Sequence, residues 1–189
     1  MDLGQHAEPR SSGAARSIVR NIATIAFVFV LAWALRTFVF QPYKIPSGSM
    51  ESTVMTGDFL VSEKVSYYFR DPEQGDIVTF YDPAFSGDVR TLLKRVVATE
   101  GQTVDLVDGV VYVDGKPLSE PYTGGKPSYP LENSSISFPY TVPEGSLWVM
   151  GDNRTNSQDS RWFGAVSKER VTGRAVVIFW PVSDIGSLA

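Results

Sequence analysis

The chain has 189 residues, a formal net charge of −4, 16 Gly, 12 Pro and 12% aromatic residues, with no cysteine and one histidine. Without cysteine there is no thiolate nucleophile, disulfide or thiolate metal site, and without a basic block a nucleic-acid partner has no electrostatic support. The Gly and Pro content points to many turns and short strands, and the length to one domain of ordinary size with a smaller lobe attached.

The histidine, His6, sits in a polar tail over 1–17 whose Gly, Ala and Ser content is that of a disordered segment. A Ser-His-Asp triad, a histidine general base and a His-ligated zinc are therefore excluded as readings of the folded part. Nucleophilic catalysis by this chain needs Lys or a carboxylate as proton acceptor. No metal and no cofactor is expected.

From Asn21 to Leu35 the sequence carries no charge and is apolar on every helical face, the pattern of a helix buried in protein or in lipid. Ile18 and Val19 extend it backwards and Phe38, Val39 and Phe40 forwards, giving a transmembrane anchor over 18–40 with Arg20 and Arg36 snorkelling to the interfaces. Arg10, Arg16 and Arg20 favour a cytoplasmic N-terminus with the remainder outside. Ala32-Trp33-Ala34 also fits the end of a cleaved signal peptide, and a soluble core helix is the third reading. Gln41 and Pro42 close the helix.

Next comes Ile45-Pro46-Ser47-Gly48-Ser49-Met50. Pro46 fixes φ and Gly48 lacks a Cβ, so the backbone can hold a bent, unusual conformation that presents the Ser49 hydroxyl beside free N–H groups, with Ser47 as a second donor. A plain turn is the competing reading. Strands follow at Phe59-Leu60-Val61 and Ile77 to Tyr81, a loop at 82–87, then a strand from Thr91 to Thr99. Alternation there places Leu92, Lys94, Val96 and Ala98 on one face and Leu93, Arg95 and Val97 on the other. Lys94, flanked by Leu92 and Val96, can lie in an apolar groove, where desolvation favours the neutral amine that a lysine base requires; a surface lysine is the plain alternative.

Two hairpins with Asp108-Gly109 and Asp114-Gly115 turns come next, then an irregular excursion from Pro117 to Pro143 and a strand at Ser146 to Met150. The dense polar run Gly151-Asp152-Asn153-Arg154-Thr155-Asn156-Ser157-Gln158-Asp159-Ser160-Arg161 precedes a closing strand at Val171 to Trp180. The whole reads as mainly β: antiparallel sheets in a catalytic core over 41–100 and 144–185, with a smaller β lobe inserted over 101–143, after a single N-terminal transmembrane helix.

Pro46-Ser47-Gly48-Ser49-Met50, Lys94-Arg95-Val96 behind Gly75-Asp76-Ile77-Val78, the Gly151 to Arg161 run and Phe179-Trp180-Pro181 together resemble the type I signal peptidases of bacteria, the Ser-Lys enzymes that remove signal peptides. Thr155, Ser52 and Ala98-Thr99-Glu100-Gly101 depart from the family's usual residues. The resemblance implies Ser49 as nucleophile and Lys94 as neutral general base, its amine kept uncharged by burial or by a nearby cation such as Arg95. It implies an oxyanion hole from the Ser49 N–H and the Ser47 hydroxyl, and Ser157 orienting the lysine amine. Asp159 and Arg161 would pair to hold their loop, and Asp152 would pair with Arg95 or Arg154. Ile45, Pro46, Met50, Val54 and Leu93 would line shallow apolar pockets for small residues at −1 and −3 of the substrate. Its partners would be secretory preproteins and membrane lipid, and its place the bacterial cytoplasmic membrane, with the catalytic part extracytoplasmic. From a different class, an anchored β-domain that binds peptides without cutting them fits the same elements.

Overall fold

The computed structural model describes residues 12–84 and 90–188. Most of the expected disordered tail, His6 and Arg10 included, lies outside the described residues, as does 85–87 of the expected loop. The chain divides into two units, 1–39 and 40–189.

The first unit is one helix, α1 (Ser12–Phe38). Residues 12–17 of the expected tail are helical. The stretch Arg16–Thr37 is 22 residues long with a mean hydropathy of 2.0. At 1.5 Å per residue it spans about 33 Å, enough for a bilayer's hydrocarbon. Its large apolar side chains are open on all sides, with Phe29 at 71% and Phe27 at 66% exposure. Such a surface is stable in lipid rather than in water.

Helix α1 stops at Phe38, and Phe40 already belongs to β1 (Phe40–Lys44), so the expected helical extension through Phe40 does not form. Pro42 disfavours helix at Gln41, and β1 is drawn instead into antiparallel pairing with β2 (Phe59–Glu63). The remaining strands are β3 (Ile77–Tyr81), β4 (Thr91–Thr99), β5 (Thr103–Val107), β6 (Val110–Val113), β7 (Lys116–Pro117), β8 (Tyr140–Thr141), β9 (Ser146–Met150), β10 (Val166–Ser167), β11 (Val171–Trp180) and β12 (Gly186–Ser187). A four-residue helix, α2 (Ser160–Phe163), ends the polar run.

The larger sheet has the order β1-β2-β11-β3-β4-β9-β10, with β12 on β11; the smaller has the order β7-β6-β5-β8. Every pairing is antiparallel. The smaller sheet grows from two hairpins whose turns take positive φ at both central residues: 50° and 81° at Asp108 and Gly109, 51° and 73° at Asp114 and Gly115. That handedness matches the twist of the strands it joins.

Trp148 of β9 docks the smaller sheet. It is fully buried, with the Phe138 and Tyr140 rings 5.7 and 4.6 Å from its own, and Val104 and Val111 pack in the same cluster. A second cluster gathers Ile45, Met50, Val54, Leu60 and Leu93, and a third Val78, Phe80, Val96 and Val149.

Strand β4 lies in the middle of all three. Its alternation holds from Thr91 to Val96 and then fails. The pairing with β9 slips between Val96 and Ala98, so Val97 and Ala98 both enter the Trp148 cluster instead of facing opposite ways. A bulge of this kind bends the strand, and here it turns the end of β4 toward the smaller sheet.

Candidate active site

Ile45 and Pro46 leave β1 in extended conformation, held by Ile45 N–H to Asp58 O at 2.8 Å and Gly57 N–H to Ile45 O at 2.8 Å. Gly48–Met50 then form a single 3₁₀ turn, entered through Ser47 at φ −136° and ψ 151°. The turn is ordinary and Gly48 has no left-handed φ. The nearest atoms a Cβ there would meet are those of the Glu51 carboxylate, so the expected unusual backbone is not what the glycine supplies. Met50, 1% exposed, pins the turn to the core, and Ser49 is left partly exposed at its crest. The exposed Ser47 hydroxyl makes no capping hydrogen bond.

Strand β4 brings Lys94 beneath this turn. Its Nζ donates to Ser49 Oγ at 2.6 Å, and the residue is only 3% exposed. Burial pushes the amine down to about 8; Asp159, Asp152 and Asp82 oppose this and the Arg90 charge assists it. The cation that helps is therefore Arg90. Arg95 points elsewhere: its Nε and Nη2 donate to Asp152 at 2.9 and 2.7 Å, and its guanidinium carbon lies 4.0 Å from the centre of the Tyr122 ring.

The polar run closes over the turn from the other side. Asp152, fully buried, accepts from Arg95 and also from the Thr53 hydroxyl, and Thr53 is one turn beyond Ser49. Asn153 holds the Ser49 turn itself, its N–H donating to Ser49 O at 3.1 Å and its Nδ2 to Gly48 O at 2.8 Å. Asp159 and Arg161 form a two-point pair at 2.9 Å for each bond, and Asp159 also accepts the Gly151 N–H at 3.0 Å. Gly151 packs so closely that a Cβ would run into the Ser157 hydroxyl and the Ser49 carbonyl. The Ser157 hydroxyl is buried and bonds no group among the described residues. It packs against Gly151 near the Ser49 carbonyl and makes no hydrogen bond to Lys94 Nζ.

Two cavities meet at Ser49 and Lys94. One, of about 80 Å³, runs between Tyr43–Met50 and Thr91–Lys94 and is lined by Ile45, Pro46, Met50 and Leu93. The other, of about 200 Å³, lies toward α2 and is lined by Asp82, Arg90, Gln158, Trp162 and Phe163. Val54 lines neither; it is fully buried in the core behind Met50. A buried amine with a lowered pKa beside a serine hydroxyl can take that hydroxyl's proton.

Several residues of this site carried no legible signal. Glu120 and Tyr122 come from the irregular excursion: Arg154 reaches Glu120 Oε2 at 2.7 Å and Ser128 Oγ at 2.7 Å, and the Tyr122 ring covers Arg95. Lys126 bonds Asn153 Oδ1 at 2.7 Å. Only Arg90 was readable in principle, because alternation run back from Lys94 through Leu92 reaches it.

A family model described as signal peptidase, peptidase S26, matches residues 18–180. The chain is 43% identical over 176 residues to a probable signal peptidase I-1 of Synechocystis sp., covering 90% of this chain and 87% of that protein. It is 39% identical over 179 residues to a signal peptidase I of Leptolyngbya laminosa, covering 90% and 84%. A crystal structure of a signal peptidase I from Enterococcus faecalis V583 matches at 32% identity with a TM-score of 0.48, covering 56% of this chain and 97% of that one. With a match that begins inside the apolar helix and ends at the last residue of β11, this chain belongs to the signal peptidase, peptidase S26, family.

Proposed function

We propose that this protein is a membrane-anchored signal peptidase I in which Ser49 is the nucleophile and Lys94 the general base, cutting exported preproteins after small residues at −1 and −3. The observation that carries the reading is the 2.6 Å approach of a buried, downshifted amine to a serine hydroxyl. Family membership supports the removal of signal peptides, and the exposed apolar helix supports the anchor.

In the first half-reaction neutral Lys94 takes the Ser49 proton as Oγ bonds to the scissile carbonyl carbon. The carbonyl oxygen becomes an oxyanion facing the Ser49 N–H and the Ser47 hydroxyl. Collapse breaks the C–N bond, and Lys94 returns the proton to the leaving amine. In the second half-reaction Lys94 activates a water that hydrolyses the acyl-enzyme. Ser157 is assigned the orienting role toward the amine on the family resemblance, its buried hydroxyl being free of other hydrogen bonds among the described residues; Asp152, Asp159, Arg95 and Arg161 hold the surrounding loop. The 80 Å³ slot is small enough to select short side chains, and the substrate's extended backbone aligns beside Ser47 and Lys94. The basic residues before the apolar stretch favour a cytoplasmic N-terminus and an extracytoplasmic active site in a bacterial membrane.

The test is cleavage of a preprotein with Ala at −1 and −3 by the detergent-solubilised full chain. Lys94→Ala is expected to lose about 10²- to 10⁴-fold in turnover. Undiminished cleavage by that variant would remove the lysine-base reading.

A further inference from the structure

Lys126 lies in the turn that follows the short 3₁₀ segment Pro121–Thr123, far in sequence from both members of the dyad. Its Nζ donates to Asn153 Oδ1 at 2.7 Å. An ammonium has three donors and no acceptor, so it can face only the oxygen end of the Asn153 amide. That decides the orientation of the group. Nδ2 is left pointing at the nucleophile turn, where it donates to Gly48 O at 2.8 Å.

The consequence follows from the planarity of the peptide bond. Gly48 C=O and Ser49 N–H belong to one trans peptide unit, so they point in opposite directions. Tying Gly48 O to Asn153 on one side aims the Ser49 N–H to the other. The Asn153 N–H, bonded to Ser49 O at 3.1 Å, fixes the next peptide unit in the same sense. If Lys126 is removed, Asn153 Oδ1 loses its charged partner, and the amide is held only by the Nδ2 bond to Gly48 O, about which it can tilt and carry the Gly48–Ser49 peptide with it.

We infer that Lys126 is a positioning residue for the hydrolysis: acting through the Asn153 amide, it aims the Ser49 N–H at the place where the oxyanion forms. The inference rests on the reading of Ser49 as nucleophile. It concerns a lysine that lines neither of the two cavities at Ser49 and Lys94.

Steady-state kinetics of the full chain on the Ala-containing preprotein provide the test. Lys126→Met is expected to lower kcat by about 10- to 100-fold, the scale of a misplaced oxyanion donor, with KM within about twofold. Lys126→Arg, which also offers only donors, is expected to stay within about threefold of wild type. In an Asn153→Ala background the Lys126→Met change should have no further effect, because the residue through which it acts is gone. An unchanged kcat in Lys126→Met, a loss in KM alone, or the same fold-loss repeated in the Asn153→Ala background would overturn the inference. Lys94→Ala, run beside them, separates the two levels: full activity there removes the Ser-Lys reading and this inference with it. Loss in Lys94→Ala with wild-type kcat in Lys126→Met removes this inference only. A Lys126→Met protein that does not fold is replaced by Lys126→Gln, whose amide can still donate and which is expected to fall between Met and Arg; a wild-type rate in Asn153→Ala would also overturn the inference.

Discussion

Asp159 and Arg161, two residues apart in sequence, are joined by two parallel hydrogen bonds of 2.9 Å with both side chains at 1% exposure or less. The pair has two effects. It spares a buried carboxylate from standing uncompensated, and it answers the charge that, after burial, most strongly influences Lys94, by drawing the amine toward its protonated form.

Arg161→Gln is therefore expected to destabilise the fold by about 3–5 kcal/mol, the range for breaking one side of a buried pair. Thermal unfolding measures that loss. In whatever folded fraction remains, unmasked Asp159 should raise the Lys94 pKa, so that the acid limb of kcat/KM moves to higher pH. A limb that stays in place would show that Asp159 does not act on Lys94.

The buried amine makes a second prediction. Its folded-state pKa of about 8 lies below the ordinary 10.5, so the unfolded chain binds more protons between those two values. Stability should then rise with pH from about 8 to about 10.5, by up to about 3 kcal/mol, with the full penalty present below 8. Activity should rise through pH 8 as the amine loses its proton. Lys94→Met removes the penalty and the base together: a higher Tm at pH 7, no stability change across that window from this site, and loss of turnover. A lower Tm would mean that the amine's contacts outweigh its desolvation.

Gly151 and Gly48 should respond differently to a methyl group. At Gly151 the new Cβ meets the Ser49 carbonyl, which is backbone and cannot swing away, and the buried Ser157 hydroxyl. Gly151→Ala is expected to cost about 1–3 kcal/mol and to depress turnover by moving Ser49. At Gly48 the nearest atoms the Cβ meets are those of the Glu51 carboxylate, the end of a flexible side chain, so Gly48→Ala should fold with near-normal stability. Denaturant unfolding of the two variants, with activity alongside, checks the contrast.

Local pattern made much of the architecture legible. The strands at Ile77–Tyr81, Thr91–Thr99 and Val171–Trp180 coincide with runs visible in the sequence, because alternation and β-branched content are properties of neighbouring residues. The Asp-Gly turns were visible for the same reason: each needs positive φ within two residues. At Phe40 apolar character continues in the sequence while sheet pairing with β2 claims the backbone, so the helix ends at Phe38 and short of the expected Phe40. Past Val96 the alternation expected of β4 breaks at the bulge against β9, a feature of strand pairing that neighbouring residue types do not reveal.

The site divides along the same line. Sequence by itself supplied a serine in a turn, a lysine between apolar neighbours, a dense polar run, no cysteine and no histidine beyond His6 to compete with them, because residue type and order are local facts. Tertiary structure decided how far the amine is buried, which arginine faces it, and that a lysine and a tyrosine from an irregular excursion contact Asn153 and Arg95 around Ser49. Those are outcomes of long-range packing: desolvation depends on everything that surrounds a group, and the groups around Lys94 come from segments that no spacing rule connects.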